Sequence, residues 1–223
     1  MLNQLHQQLR SHSLFYRLTL ASRILLAVGF IPTGIVKLLG QPFSLLDPSI
    51  PAGAIFQILY EGGIYWQFLG AAQIVAGICL LIPATATLGA LFFLPIMLNI
   101  VMITIGYQFG ATTLITLPML LANLYLLAWD YDRLQGLVGF PAAVSGRDPS
   151  LFRHQLGDKE RVIYLIGTLS GLLLFAGLRN LLPWGLSYEI PIALFFLVAF
   201  LSAAAAAGVG LVSYWQVYRK ETA

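Results

Sequence analysis

Residues 66–104 read WQFLGAAQIVAGICLLIPATATLGALFFLPIMLNIVMIT, from Trp66 to Thr104. Two apolar runs flank the uncharged turn Pro83-Ala84-Thr85-Ala86-Thr87. Each run approaches the ~20 residues, at about 1.5 Å rise per residue, that a helix needs to cross the hydrocarbon core of a bilayer. Each also carries one conspicuous amide, Gln73 in the first and Asn99 in the second. Hydrocarbon offers an amide no hydrogen-bond partner, so the rest of the chain is expected to supply one. The stretch predicts a helical hairpin in a membrane and makes the fold class all-α.

Composition agrees with that reading. Of 223 residues, 59% are hydrophobic and 9% charged, whereas soluble domains carry about 25% charged residues. The net charge of +3 comes from Lys and Arg spread over terminal and loop segments without a dense patch, which argues against a nucleic-acid partner. Cys79 is the only cysteine, so the chain has neither an internal disulfide nor a CxxC redox pair. Residues 1–17, MLNQLHQQLRSHSLFYR, lack the apolar core and cleavage site of a signal peptide. They are expected to form a cytoplasmic segment ahead of a retained first span.

Six apolar runs are near spanning length: Leu18 to Leu39, Ile64 to Ile82, Thr87 to Ile105, Thr113 to Trp129, Val162 to Leu182 and Pro191 to Val212. With the N-terminus inside, ten of the twelve Lys and Arg residues fall on the cytoplasmic side, Lys37 and Arg179 being the exceptions. The positive-inside rule therefore predicts both termini in the cytoplasm. Residues 18–134 are expected to form a four-helix unit, 135–161 a cytoplasmic loop, and 162–223 a two-helix hairpin with a short tail.

Arg23 and Lys37 lie near opposite ends of the first run, where long stems let charges snorkel to the two interfaces. Alternatively, Phe30, Thr33, Gly34 and Lys37 share one helical face that points into the bundle. The extracytoplasmic loop 40–63 contains AGAIFQILY, too short to span and apolar enough to form an interfacial helix. Glu61 follows it and is read either as a solvated carboxylate or as a pocket partner of Lys37. Tyr65 and Trp66 suit the aromatic belt at the entry of the second helix.

On the second helix Gly70, Gln73 and Gly77 share a face. On the third, Pro95, Asn99 and Gly106 do, and on the fourth, Thr116 and Asn123. Three amides on consecutive helices suggest a polar seam, which either holds helices in register or lines a site for a small amphipathic ligand. The candidate ligand-binding residues are Lys37, Glu61, Trp66, Gln73, Asn99 and Asn123. Asp130, Asp132 and Arg133 mark the helix exit into the cytosol, and with no neighbouring His they are not expected to hold a metal. Asp158 is expected to cap the fifth helix. The fifth run and the sixth, with its small-residue stretch SAAAAAGVG, have no ionisable residue near their centres and suit packing or partner docking.

The sequences RILLA at Arg23–Ala27, GIVKL at Gly34–Leu38, GAAQIVAGICLL at Gly70–Leu81, LPIMLNIVMIT at Leu94–Thr104 and LLANLYLLAWDYDRL at Leu120–Leu134 resemble the DoxX-like family of bacterial membrane proteins. The resemblance covers roughly residues 18–134. It implies a four-helix unit with a longer extracytoplasmic loop after the first helix, in the bacterial cytoplasmic (inner) membrane. The family is named for a subunit of a thiosulfate:quinone oxidoreductase, and other members are linked to quinone or thiol redox systems. Many relatives carry an acidic residue where this chain has Gln73.

Two functions are expected from this sequence. One is a redox-associated protein that binds a quinone or another lipophilic molecule, noncovalently, among helices one to four. The other is a non-catalytic subunit or assembly factor that docks a membrane protein partner through helices five and six, or that associates with itself. The spans hold no His pair for haem, no cysteine pair and no Ser/His/Asp grouping. If electrons move here, the expected role is that of an accessory subunit of a quinone-linked oxidoreductase, with the metal or flavin on a partner. Transport is the weaker reading, because the central helices lack the buried charge pairs that couple it.

Overall fold

The computed structural model describes His6, Arg10 and residues 13–44, 46–135 and 158–178. The sixth apolar run, residues 191–212, lies outside these. Among the described residues the regular structure is helical: α1 (Ser13–Leu38), α2 (Pro51–Glu61), α3 (Ile64–Leu81), α4 (Ala86–Gly106), α5 (Thr113–Trp129), α6 (Tyr131–Gln135) and α7 (Asp158–Leu178), with a 3₁₀ turn at Gly110–Thr112. By length and composition, three helices are able to cross a membrane, within Leu14–Leu38, Ile64–Leu81 and Ala86–Gly106. α5, with 17 residues, stands at the lower limit of spanning length.

Helices α1, α3, α4 and α5 pack in a ring, α1 on α3, α3 on α4, α4 on α5 and α5 back on α1, while α7 lies against α1. The core is aliphatic and aromatic, with Leu26, Phe30, Leu80, Phe93, Met97 and Leu126 at its centre. The Phe30 and Phe93 rings meet at 4.0 Å between centroids. Small residues set the tightest crossings. A Cβ on Gly34 would lie 2.7 Å from the Gly70 carbonyl oxygen, and one on Gly70 would lie 2.5 Å from that of Gly34. Glycine at both positions is what lets the α1 and α3 backbones touch. Gly171 brings α7 onto Val28 in the same manner.

The turn between α3 and α4 is closed by the Thr85 hydroxyl, which donates to the Cys79 carbonyl at 3.1 Å, one of the carbonyls a helix end leaves open. Among the described residues three helices have a proline in their interior, Pro32 in α1, Pro95 in α4 and Pro118 in α5. Each proline removes one backbone bond. Beside Pro32, the Thr33 hydroxyl lies 3.0 Å from the carbonyl oxygens of both Gly29 and Phe30.

α1 ends in a Schellman turn. Gly40 has φ +66, its N–H donates to the Lys37 carbonyl, and the Gln41 N–H reaches back to Val36, the paired bonds that define this cap. The expected short helix in the following loop is α2. In the loop ahead of it, the Ser49 N–H donates to Asp47 Oδ1 at 2.8 Å, which holds the Asp47 carboxyl below its ordinary range. α7 is described from Asp158 onward, and the residues before it, on which the expected cap depends, lie outside the described ones.

Candidate functional site

The two ends of the ring differ in chemistry. At the end where α1 finishes and α3 begins, Lys37 is buried, only 6% exposed, with Trp66 at 1% and Gln73 at 2%. The Gly34–Gly70 contact brings these side chains together by drawing the two backbones close. Lys37 Nζ donates to Gln73 Oε1 at 2.9 Å and sits 4.5 Å from the Phe43 ring centroid and 5.2 Å from that of Trp66. A desolvated cation over an aromatic face gains about 2 kcal/mol or more. The Schellman turn at Gly40 orders this wall, because the Gln41 carbonyl beyond it accepts from Trp66 Nε1 at 2.9 Å.

Aromatic contacts continue outward. Phe43 meets Phe56 of α2 at 5.5 Å, and Phe56 meets Phe109 in the α4–α5 connection at 5.4 Å. Tyr60 stands edge-on to Trp66 at 6.5 Å. α2 is thus tied through Phe56 and Tyr60 to the residues around Lys37. Where α2 meets α3, Gly63 has φ +52 and open space beside it.

At the opposite end, Asp130 is 3% exposed. Its Oδ2 accepts from Thr87 Oγ1 at 2.7 Å and lies 3.4 Å from Arg23 Nη2. Arg133 Nη1 donates to the same Thr87 hydroxyl at 3.1 Å. One turn out, Asp132 pairs with Arg10 at 2.7 Å and with His6 Nδ1 at 3.0 Å. The other ring nitrogen of His6 faces the Trp129 carbonyl at 3.1 Å, and the Arg10 guanidinium lies 5.4 Å from the Trp129 ring centroid. Tyr125 donates to the Phe15 carbonyl at 2.8 Å. These bonds fasten the N-terminal residues and α1 to α5 and α6.

The structure separates the three amides of the expected seam, and for Asn123 and Glu61 it agrees with the packing and solvated alternatives. Asn99 is exposed on the outer face of α4 and does not join Gln73. Asn123 is wholly buried, but its amide faces α4 backbone, and in the orientation that satisfies both groups its nitrogen donates to the Ala90 carbonyl at 3.0 Å and its oxygen accepts from the Leu94 N–H at 3.1 Å. These backbone groups stand just ahead of Pro95, where the helix lacks a donor, so Asn123 acts as a clamp on α4. It is level with Phe93, which packs on Phe30, and Phe30 lies about 10 Å along α1 from Lys37 by helical rise. Glu61 is exposed and accepts from Gln57 Nε2 at 2.7 Å, away from Lys37. Of the six candidates, Lys37, Trp66 and Gln73 meet in one site.

Sequence reasoning missed Phe43 and the Asp130 cluster. Phe43 lies in a proline-containing loop with no period to place it. Asp130 left a clearer signal, since an arginine inside a span such as Arg23 calls for an acid on a neighbouring helix.

The fold and both ends define an all-helical protein with helices built to cross a membrane. The chain is 36% identical over 121 residues to the uncharacterized protein YwoB of Bacillus subtilis (strain 168), a match that spans 52% of this chain and 78% of that protein. It belongs to the same family as YwoB. No family model matches the chain, and no solved structure matches it.

Proposed function

We propose that this chain is a DoxX-like integral protein of the bacterial cytoplasmic membrane that binds a quinone, or a lipophilic carbonyl compound of similar shape, at Lys37, Gln73, Trp66 and Phe43. The reading includes six spans with both termini inside, α1, α3, α4 and α5 forming the binding unit. The observation that carries it is the buried Lys37 ammonium held between an amide oxygen and two aromatic faces. A cation buried to this depth is expensive in a membrane and marks a functional position. Lys37 offers charged donors to a carbonyl oxygen, and Trp66 and Phe43 offer flat apolar faces to a ring. A bound quinone supplies redox capacity that the side chains lack, and its electrons come from a partner protein.

The test is purification in mild detergent followed by mass spectrometry of extracted quinone from wild type, Lys37→Met and Gln73→Leu. Quinone in wild type and its loss from both variants is the expected result. Its absence from wild type, or equal retention by the variants, overturns the proposal.

A second reading, a docking subunit or assembly factor, draws support from α7, whose Leu165, Ile166, Leu169 and Leu173 are at least half exposed while Gly171 faces α1. A single monomer- or dimer-sized band on a native gel of solubilised membranes counts against it.

A further inference from the structure

The outer face of α4 presents Leu88, Phe92, Pro95, Asn99, Met102 and Gly106, all exposed. Their spacing alternates four and three residues, the heptad pattern of a helix-pairing seam, which puts Asn99 at an a position between Pro95 and Met102. The inward stripe is offset from it, with Ala86, Ala90, Phe93, Met97, Val101 and Thr104 buried against the bundle. Asn99 lies within one turn of the midpoint of this 21-residue helix, which for a helix crossing a bilayer is within the hydrocarbon. Its amide makes no hydrogen bond with a described residue, in contrast to Asn123, which is satisfied by backbone.

An amide left in hydrocarbon needs a partner at the same depth. A second copy of the chain provides one by symmetry. Copies inserted in a membrane share one orientation, so a twofold axis along the membrane normal sets their α4 helices parallel and brings position 99 opposite position 99. An amide is at once donor and acceptor, so the two side chains satisfy each other reciprocally, as an isologous contact requires. A second copy carries a matching polar group at that depth by necessity. Gly106, with open space where a Cβ would be, leaves one end of the seam free for close approach.

We propose that the chain forms a parallel homodimer through the outer face of α4, with Asn99 bonded to Asn99 of the second copy. This is independent of the ligand reading, since the Lys37 site lies between α1 and α3.

The test uses the full chain in its native membrane, with Cys79→Ser as background and a single cysteine at position 99, or at outward control positions Val75→Cys on α3 and Leu124→Cys on α5. A disulfide requires Cα atoms within about 7 Å, so mild oxidation is expected to give a covalent dimer for Asn99→Cys and little for the controls. In detergent, Asn99→Leu is expected to weaken the wild-type dimer roughly tenfold by light scattering or energy transfer, as loss of two interhelical bonds implies. Asn99→Gln is expected to retain it. Cross-linking at position 99 no stronger than at the controls overturns the proposal. So does a wild-type monomer at all concentrations, or an Asn99→Leu protein as dimeric as wild type. Should the cysteine variant fail to accumulate, the Asn99→Leu and Asn99→Gln comparison decides alone.

Discussion

The Lys37 end and the Asp130 end of the bundle each bury a charge, and they handle it in different ways. Asp130 meets two positive side chains, Arg23 directly and Arg133 through the shared Thr87 hydroxyl. Lys37 is held by Gln73, Phe43 and Trp66, which are all neutral. A neutralised charge network is a fastening, and removing one member strands the other. An ammonium bonded to an amide and set over aromatic rings is a polar group within an apolar wall, the composition of a ligand site. The first arrangement suits assembly of the bundle, and the second suits recognition.

That contrast predicts graded effects. The largest is expected for Asp130→Leu, which leaves Arg23 buried beside a leucine. Breaking a buried pair from one side costs about 3–5 kcal/mol, read as a large fall in the thermal unfolding midpoint in detergent. An Asp130→Leu protein as stable as wild type would break the distinction between the ends. Gly70→Ala comes next, because its methyl group meets the Gly34 carbonyl oxygen and the Leu38 nitrogen. Backbone cannot yield cheaply, and a cost of about 1–3 kcal/mol with parallel loss of ligand is expected, since the α1–α3 crossing sets the Lys37–Gln73 geometry.

Lys37→Met keeps the apolar stem but takes the Lys37 donor from the buried Gln73 oxygen, so a cost of about 1–3 kcal/mol, below that of Asp130→Leu, is expected. Severe destabilisation by Lys37→Met would reassign Lys37 to the fastening class. Asp132→Asn is expected to cost less than about 1 kcal/mol, because Asp132 is 32% exposed and its pairs with Arg10 and His6 are screened. The effect should shrink further at high salt, and insensitivity to salt would mean that packing, not charge, joins the N-terminal segment to α6.

Helical fold and the Lys37 site were partly legible in the sequence for physical reasons that also explain the misses. Apolar length identified α1, α3, α4 and α5, and glycine spacing at Gly70 and Gly77 marked the face of α3 that carries Gln73. The same reasoning failed for Asn99. In lipid both faces of a helix are apolar, so hydrophobicity does not separate the inward stripe of α4 from its outward one, and Pro95, Asn99 and Gly106 read alike on either side. Asn123 was rightly placed among buried groups, but nothing in its own helix shows that its partners are the Ala90 and Leu94 backbone. Phe43 could be placed only by the turn at Gly40, whose geometry depends on α3 arriving with Trp66.

Recognition at the Lys37 end is tested most directly by titrating a short-chain quinone into purified wild type and Lys37→Met while recording the unfolding midpoint. Ligand at a hundredfold excess over its dissociation constant stabilises a folded protein by about 2.7 kcal/mol. Concentration-dependent stabilisation of wild type, absent from Lys37→Met when each protein is compared with its own ligand-free midpoint, is the predicted result. Equal stabilisation of both proteins, or none in wild type, would contradict it.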